Sequence, residues 1–219
     1  MRSAGIEDRF EALTNAAIHL AREARENKRK PEVLVAGGIT HWIWTEDKPS
    51  LEELEANSRE QAVLMAKGEC DLIMLEMLID IDRLLACIDG AVASNLPVWA
   101  GISLEPKNGK MCLLNGESLE DTLDAIKGKN VPLLNIMHTE VDHIDAALDI
   151  VQNNWDGAIG VYAHTCKFSD DNTQAIFDDT ISPEDYAKAA KRWLDRGVQV
   201  IGGCCGVRKE HICALREVI

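Results

Sequence analysis

Positive charge is what this chain most conspicuously lacks. Its 23 Lys and Arg residues face 37 Asp and Glu, leaving a net charge of −14. A nucleic-acid backbone or an anionic membrane surface would want a basic patch, so neither is expected as a main partner. No apolar run approaches the about 20 residues needed to span a bilayer. The stretch from Met1 to Arg9 is charged and has no signal-peptide apolar core, so a cytoplasmic location is the default expectation. An even set of cysteines is missing too. The seven (70, 87, 112, 166, 204, 205, 213) are odd in number and mostly sit inside periodic elements. That pattern fits metal or catalytic use in a reducing compartment better than a disulfide framework. Neither an interdomain linker nor a low-complexity segment interrupts residues 1–219, so one domain is expected.

The stretch that organises the rest is Val198-Gln-Val-Ile-Gly-Gly-Cys-Cys-Gly206. Val198 to Ile201 reads as a buried strand. Gly202 and Gly203 allow a tight turn and close approach to a ligand. Two adjacent thiols beyond a strand's carboxyl end are soft donors suited to zinc, although free cysteines are often mere small hydrophobes. A vicinal pair cannot complete a tetrahedral shell, so a third ligand must come from elsewhere.

Upstream the chain alternates helices with continuously apolar strands. Helices are expected over 7–27, from Ser50 to Ala66, from Asp80 to about Ser94, to Lys127, and from Thr139 to Gln152. Another should start at Ser182-Pro183-Glu184. In the first helix Phe10, Leu13, Ala17, Leu20, Ala21 and Ala24 form one stripe. Strands are expected over 33–38, 71–76, 97–103, 131–136, 156–162 and 198–201, with an excursion or hairpin over 110–116. Such a rhythm predicts an α/β fold with a parallel sheet. Glu76, Ser103, His138, Tyr162, Cys204 and Cys205 all fall at strand carboxyl ends, where (β/α) barrels build their sites. His138, His164 and Cys166 remain as third-ligand candidates, with His41 behind them. His138 is preferred because a strand and a helix start fix it from both sides. The loop from Ala163 to Thr180 is the lid candidate, and Trp42 or Trp44 could line a donor site.

Gly202-Gly-Cys-Cys-Gly206, preceded by Trp193-Leu-Asp-Arg-Gly-Val198, resembles the signature of the homocysteine S-methyltransferase family. Val35-Ala-Gly-Gly38, Leu75-Glu76-Met77, Asn115-Gly116-Glu-Ser-Leu119 and Val161-Tyr162 add to the resemblance in the right order. It implies a (β/α)8 TIM-barrel type, here incomplete, with about six units equivalent to strands 3–8. It also implies a zinc site of three cysteines, the first of which would end the sixth strand in a Gly-x-Asn-Cys context. Asn135-Ile-Met-His138 stands there instead, so the implied ligands are His138, Cys204 and Cys205.

Glu76 resembles the glutamate that holds the amino group of homocysteine. Ser103, Tyr162 and Gly203 join it as candidate substrate-binding residues. The expected chemistry is zinc-dependent methyl transfer from a donor to a small thiol, homocysteine first. Two exposed sheet edges imply a second copy or a partner chain that completes the barrel. The alternatives are a partner-dependent subunit and a zinc- or thiol-binding protein without catalysis.

Overall fold

Strands that are apolar on both sides must be covered on both faces, and their backbone groups must find neighbours. The computed structural model, which describes residues 5–41, 49–168, 175–176 and 180–219, meets that demand with a six-stranded parallel sheet. After α1 (Phe10–Asn27), β1 (Ala36–Thr40) leads through α2 (Leu51–Lys67) to β2 (Leu72–Leu78). Then α3 (Ile81–Ala91) leads to β3 (Val98–Ile102). A hairpin of β4 (Leu104–Lys107) and β5 (Lys110–Leu113) precedes α4 (Leu119–Ile126). β6 (Leu133–Glu140), α5 (Val141–Asn154) and β7 (Ala158–His164) follow. A two-residue pair, β8 (Lys167–Phe168) and β9 (Ala175–Ile176), comes before α6 (Pro183–Asp195), β10 (Val200–Ile201) and α7 (Lys209–Leu215). The sheet order is β1-β2-β3-β6-β7-β10, every pairing parallel, with β1 and β10 at its two edges. It is an α/β fold of the barrel type, and its sheet is not closed.

Local signals set most helix starts as the sequence predicts. Ser50 and Glu53 form a reciprocal capping box, and the side chains of Asp80, Ser118 and Ser182 each accept from the N–H three residues on. The expected excursion is the β4–β5 hairpin. Outward-facing strand residues such as Ile73, Leu75, Ala100, Ile102, Leu134, Ile136 and Val161 are fully buried and pack in one core with Leu84, Ile88, Ile144 and Leu148 of the helices.

Three expectations are corrected. β1 begins at Ala36, not Val33; Val33 and Leu34 stay exposed. The face α1 buries is not the expected stripe: Ile18 packs over Gly68, while Ala17, Leu20, Ala21 and Ala24 are exposed. Thr139 does not cap α5. That helix starts at Val141 with no side-chain cap, because the Thr139 hydroxyl donates to Met137 O and accepts from Leu104 N. A buried hydroxyl with two backbone partners outcompetes a cap that water can replace. Trp42, Trp44 and half of the proposed lid lie outside the described residues.

Candidate active site

The Gly-Gly-Cys-Cys-Gly segment runs on from β10 and is stitched to the end of β7. Gly202 N donates to Val161 O, Cys204 N to Ala163 O, and Thr165 N to Cys205 O, at 2.9–3.0 Å. From the helix side, the buried Tyr186 hydroxyl lies 2.9 Å from Gly202 O and 3.1 Å from Ala163 O, so its one proton serves both carbonyls. Gly203 is required by the turn itself: a Cβ there would meet both Val207 methyls at 2.5 Å. The loop that carries the thiols is therefore tied to both β7 and α6 by hydrogen bonds.

His138 approaches from β6. Its backbone is left-handed, φ +48°, within a break in the β6–β7 ladder that passes from Met137↔Tyr162 to Glu140↔His164. That break turns the imidazole toward the cysteines. His138 Nδ1 lies 3.7 Å from Cys204 Sγ and 3.9 Å from Cys205 Sγ, and the two sulfurs are 3.9 Å apart. A tetrahedral metal shell with bonds of about 2.3 Å to sulfur and about 2.0–2.1 Å to nitrogen has S–S edges of about 3.8 Å and S–N edges of about 3.6 Å. The donor triangle fits that shell and leaves its fourth corner open. Among the described residues, His138, Cys204 and Cys205 are the one group of this kind. His164, Cys166 and His41 do not join it.

The electrostatics suit the same use. Hydrogen bonds from Cys204, and then from His138, push the Cys205 thiol down. Cys204, which keeps the proton in that bond and is half-buried, is pushed up. One thiolate forms readily, and a cation would favour the second. His164 is the last residue of β7 rather than part of a loop. Its ring stands edge-on to that of His138, centroids 5.2 Å apart. Burial, then the charges of His138 and His143, lower its pKa to about 4, so it is neutral near pH 7. Cys166 is buried beside Gly206. Burial, then Cys205, raise its thiol to about 11.

On the inner face of the sheet, large side chains lean across glycines of neighbouring strands. A Cβ on Gly38 would lie 3.1 Å from Glu76 Oε2, one on Gly160 would lie 1.8 Å from Asn135 Oδ1, and one on Gly202 would lie 1.9 Å from the Tyr162 ring. Burial pushes the Glu76 carboxyl up; burial, then the Glu76 charge, push the Tyr162 hydroxyl up. Glu76 and Tyr162 thus share the inner face near the mouth. Ser103 is fully buried just past β3 and its hydroxyl has no hydrogen-bond partner among the described residues. Two cavities of about 240 and 260 Å³ flank His164, and neither is lined by Glu76, Tyr162 or Ser103. Sequence reasoning missed Met137 and Thr139, which hold the β6 break in place. Their sequence signal is slight, since a methionine and a threonine at a strand end are ordinary residues.

A sequence profile described as homocysteine S-methyltransferase matches residues 1–219. Homocysteine S-methyltransferase 3 of Arabidopsis thaliana is 26% identical over 174 residues, which cover 79% of this chain and 50% of that protein. Selenocysteine Se-methyltransferase of Brassica oleracea var. italica is 23% identical over 239 residues, covering 96% of this chain and 68% of that one. The apo crystal structure of the homocysteine methyltransferase MmuM from Escherichia coli matches with a TM-score of 0.77 at 23% identity, over 97% of this chain and 76% of that one. At such identity the structural likeness speaks for the fold. The chain spans about half the length of the Arabidopsis relatives it matches.

Proposed function

The chain belongs to the homocysteine S-methyltransferase family, and from that premise we propose that it holds one zinc ion on His138, Cys204 and Cys205 and methylates a small thiol, homocysteine first. The observation that carries this reading is the donor triangle, two sulfurs and one imidazole nitrogen 3.7–3.9 Å apart at the carboxyl ends of parallel strands. Zinc bound there would act as a Lewis acid that lowers the pKa of the acceptor thiol at the open position.

The chain's own residues do the rest. Tyr186 and the β7 carbonyls hold the cysteine loop still. Glu76, half-buried on the inner face, is the group to receive the amine of an amino-acid thiol. Beside the half-buried Tyr162, the acceptor thiolate would form its S–CH3 bond as the donor–CH3 bond breaks in line, the demethylated donor leaving with that electron pair. With an imidazole in place of a third thiolate the site carries less negative charge. The acceptor then loses its proton more readily and is a weaker nucleophile than in a three-cysteine site.

A second reading is supported by the open edges at β1 and β10: the site works only when a second copy or another polypeptide completes the barrel. No helix among the described residues is long and apolar enough to cross a membrane.

Metal content is the test, measured in the wild type beside His138→Ala and Cys204→Ala, together with thiol-dependent methyl transfer and mass in solution. About one zinc per chain, lost in both variants, is expected. Zinc that survives His138→Ala would move the third ligand to Cys166 or His164. A wild type without zinc, never exposed to chelator or oxidant, would sink the catalytic reading. Activity that appears only with a second polypeptide would favour the completed barrel.

A further inference from the structure

The parallel ladder breaks at two strand ends in the same manner. β2 pairs with β3 up to Leu75↔Ala100 and resumes at Leu78↔Ile102; β6 pairs with β7 up to Met137↔Tyr162 and resumes at Glu140↔His164. Each break contains a non-glycine residue in the left-handed region, Met77 at φ +55° and His138 at φ +48°. Such a residue is strained and persists only where its surroundings over-determine it. One break contains Glu76; the other contains His138.

Met137 joins the two. Its Sδ accepts a hydrogen bond from the Met77 N–H at 3.3 Å. To reach it from β6 the side chain crosses over β3 at Gly101, where a Cβ would lie 2.4 Å from the same sulfur. Gly101 is thus the gap that lets a thioether on one strand hold the backbone two strands away. Met137 is 4% exposed and Met77 is half-buried, so the link lies largely inside the fold. Its own backbone is held as well, because the Thr139 hydroxyl donates to Met137 O.

We propose that Met137 is a positioning residue: its thioether ties the β2 break that contains Glu76 to the β6 break that aims His138, so that the amine-binding carboxylate and the imidazole ligand move as one unit. The roles of Glu76 and His138 rest on the function proposed above; the mechanical link does not.

Met137→Leu preserves volume but removes the acceptor, and Met137→Gln restores an acceptor of similar reach. Amide hydrogen exchange of the metal-free proteins tests the link directly. In Met137→Leu, exchange should quicken in the segments containing Met77 and His138 together, and Met137→Gln should slow both again. In the loaded enzyme, Met137→Leu should weaken zinc binding about tenfold by chelator competition, as loss of support behind a ligand does. It should also shift the visible bands of the cobalt-substituted protein and raise the homocysteine KM more than it lowers kcat. If the wild type binds no zinc, the function fails while the exchange data still decide the link. Faster exchange at only one of the two segments, or equal defects in Leu and Gln, would overturn the proposal.

Discussion

The ring of Tyr162 occupies the space that a side chain on Gly202 would need, a Cβ there falling 1.9 Å from ring atom Cε1. Strand β7 and the loop after β10 are thereby matched large against small, and the match sits two residues before the first thiol. Gly202→Ala must push the ring away or bend the loop. It should cost about 1–3 kcal/mol, as overpacking does. A chain of this size would then melt about 2–12 °C lower. In a Tyr162→Ala background the same change should cost at least about 1 kcal/mol less, because the two positions share one volume. Additive costs in that cycle, read by thermal or urea unfolding, would show that the ring can move aside freely.

Glu76 sets a pH dependence. Burial raises its carboxyl pKa, so it takes up a proton at a higher pH than an ordinary glutamate near about 4.3. Protonated, it cannot pair with an ammonium group. The homocysteine KM should therefore rise on the acid side, through a pKa above the usual glutamate range. Glu76→Gln should raise KM about tenfold to a hundredfold, the worth of a hydrogen bond to a charged group, and abolish that limb. An unchanged acid limb in Glu76→Gln would assign it to another group.

His138→Cys adds a negative charge to the donor set. Zinc should be retained, and the acceptor thiol should lose its proton at a higher pH. In the profile of kcat/KM against pH, the acidic limb should move up and the alkaline plateau should rise, because the thiolate formed is the stronger nucleophile. A lower plateau with full zinc occupancy would contradict the charge argument.

Cys87, fully buried on α3, has a thiol pKa raised by burial from about 9 to about 11 despite a hydrogen bond from Ser58. A raised folded-state pKa gives stability that is complete below the unfolded value and is lost as pH rises through the folded one. Urea unfolding should therefore report a loss on the order of 2–3 kcal/mol between pH 9 and 11 from this group. Cys87→Ala, less stable at neutral pH, should show that much less decline. Identical slopes would mean that the thiol ionises without consequence.

Ser50, Asp80, Ser118 and Ser182 cap helices because a hydroxyl or carboxylate three residues before a free N–H needs no distant partner. Continuous apolar runs made the parallel sheet legible for a similar reason, since burial on both faces is written residue by residue. Gly202-Gly-Cys-Cys-Gly206 was legible as a site because two glycines and two thiols together have few other uses. Local chemistry thus determined the elements, their order and the cysteine half of the candidate site.

Tertiary structure decided which residues meet those cysteines. The sequence preferred His138 over His164 and Cys166 for its place between a strand end and a helix start, but nothing local shows that its ring reaches the thiols. The selection comes from a left-handed backbone at His138 and a ladder break between β6 and β7, both set by partners far away in sequence. Thr139 left its expected cap for Leu104, 35 residues distant, and α1 turned Ile18 inward because Gly68 leaves room there. Glycines 38, 101, 160 and 202 read in sequence only as flexible or small. Each faces a large side chain on a neighbouring strand, tightly at Gly38 and with no room for a Cβ at the other three, and register, a property of pairs of strands, is what puts the two together.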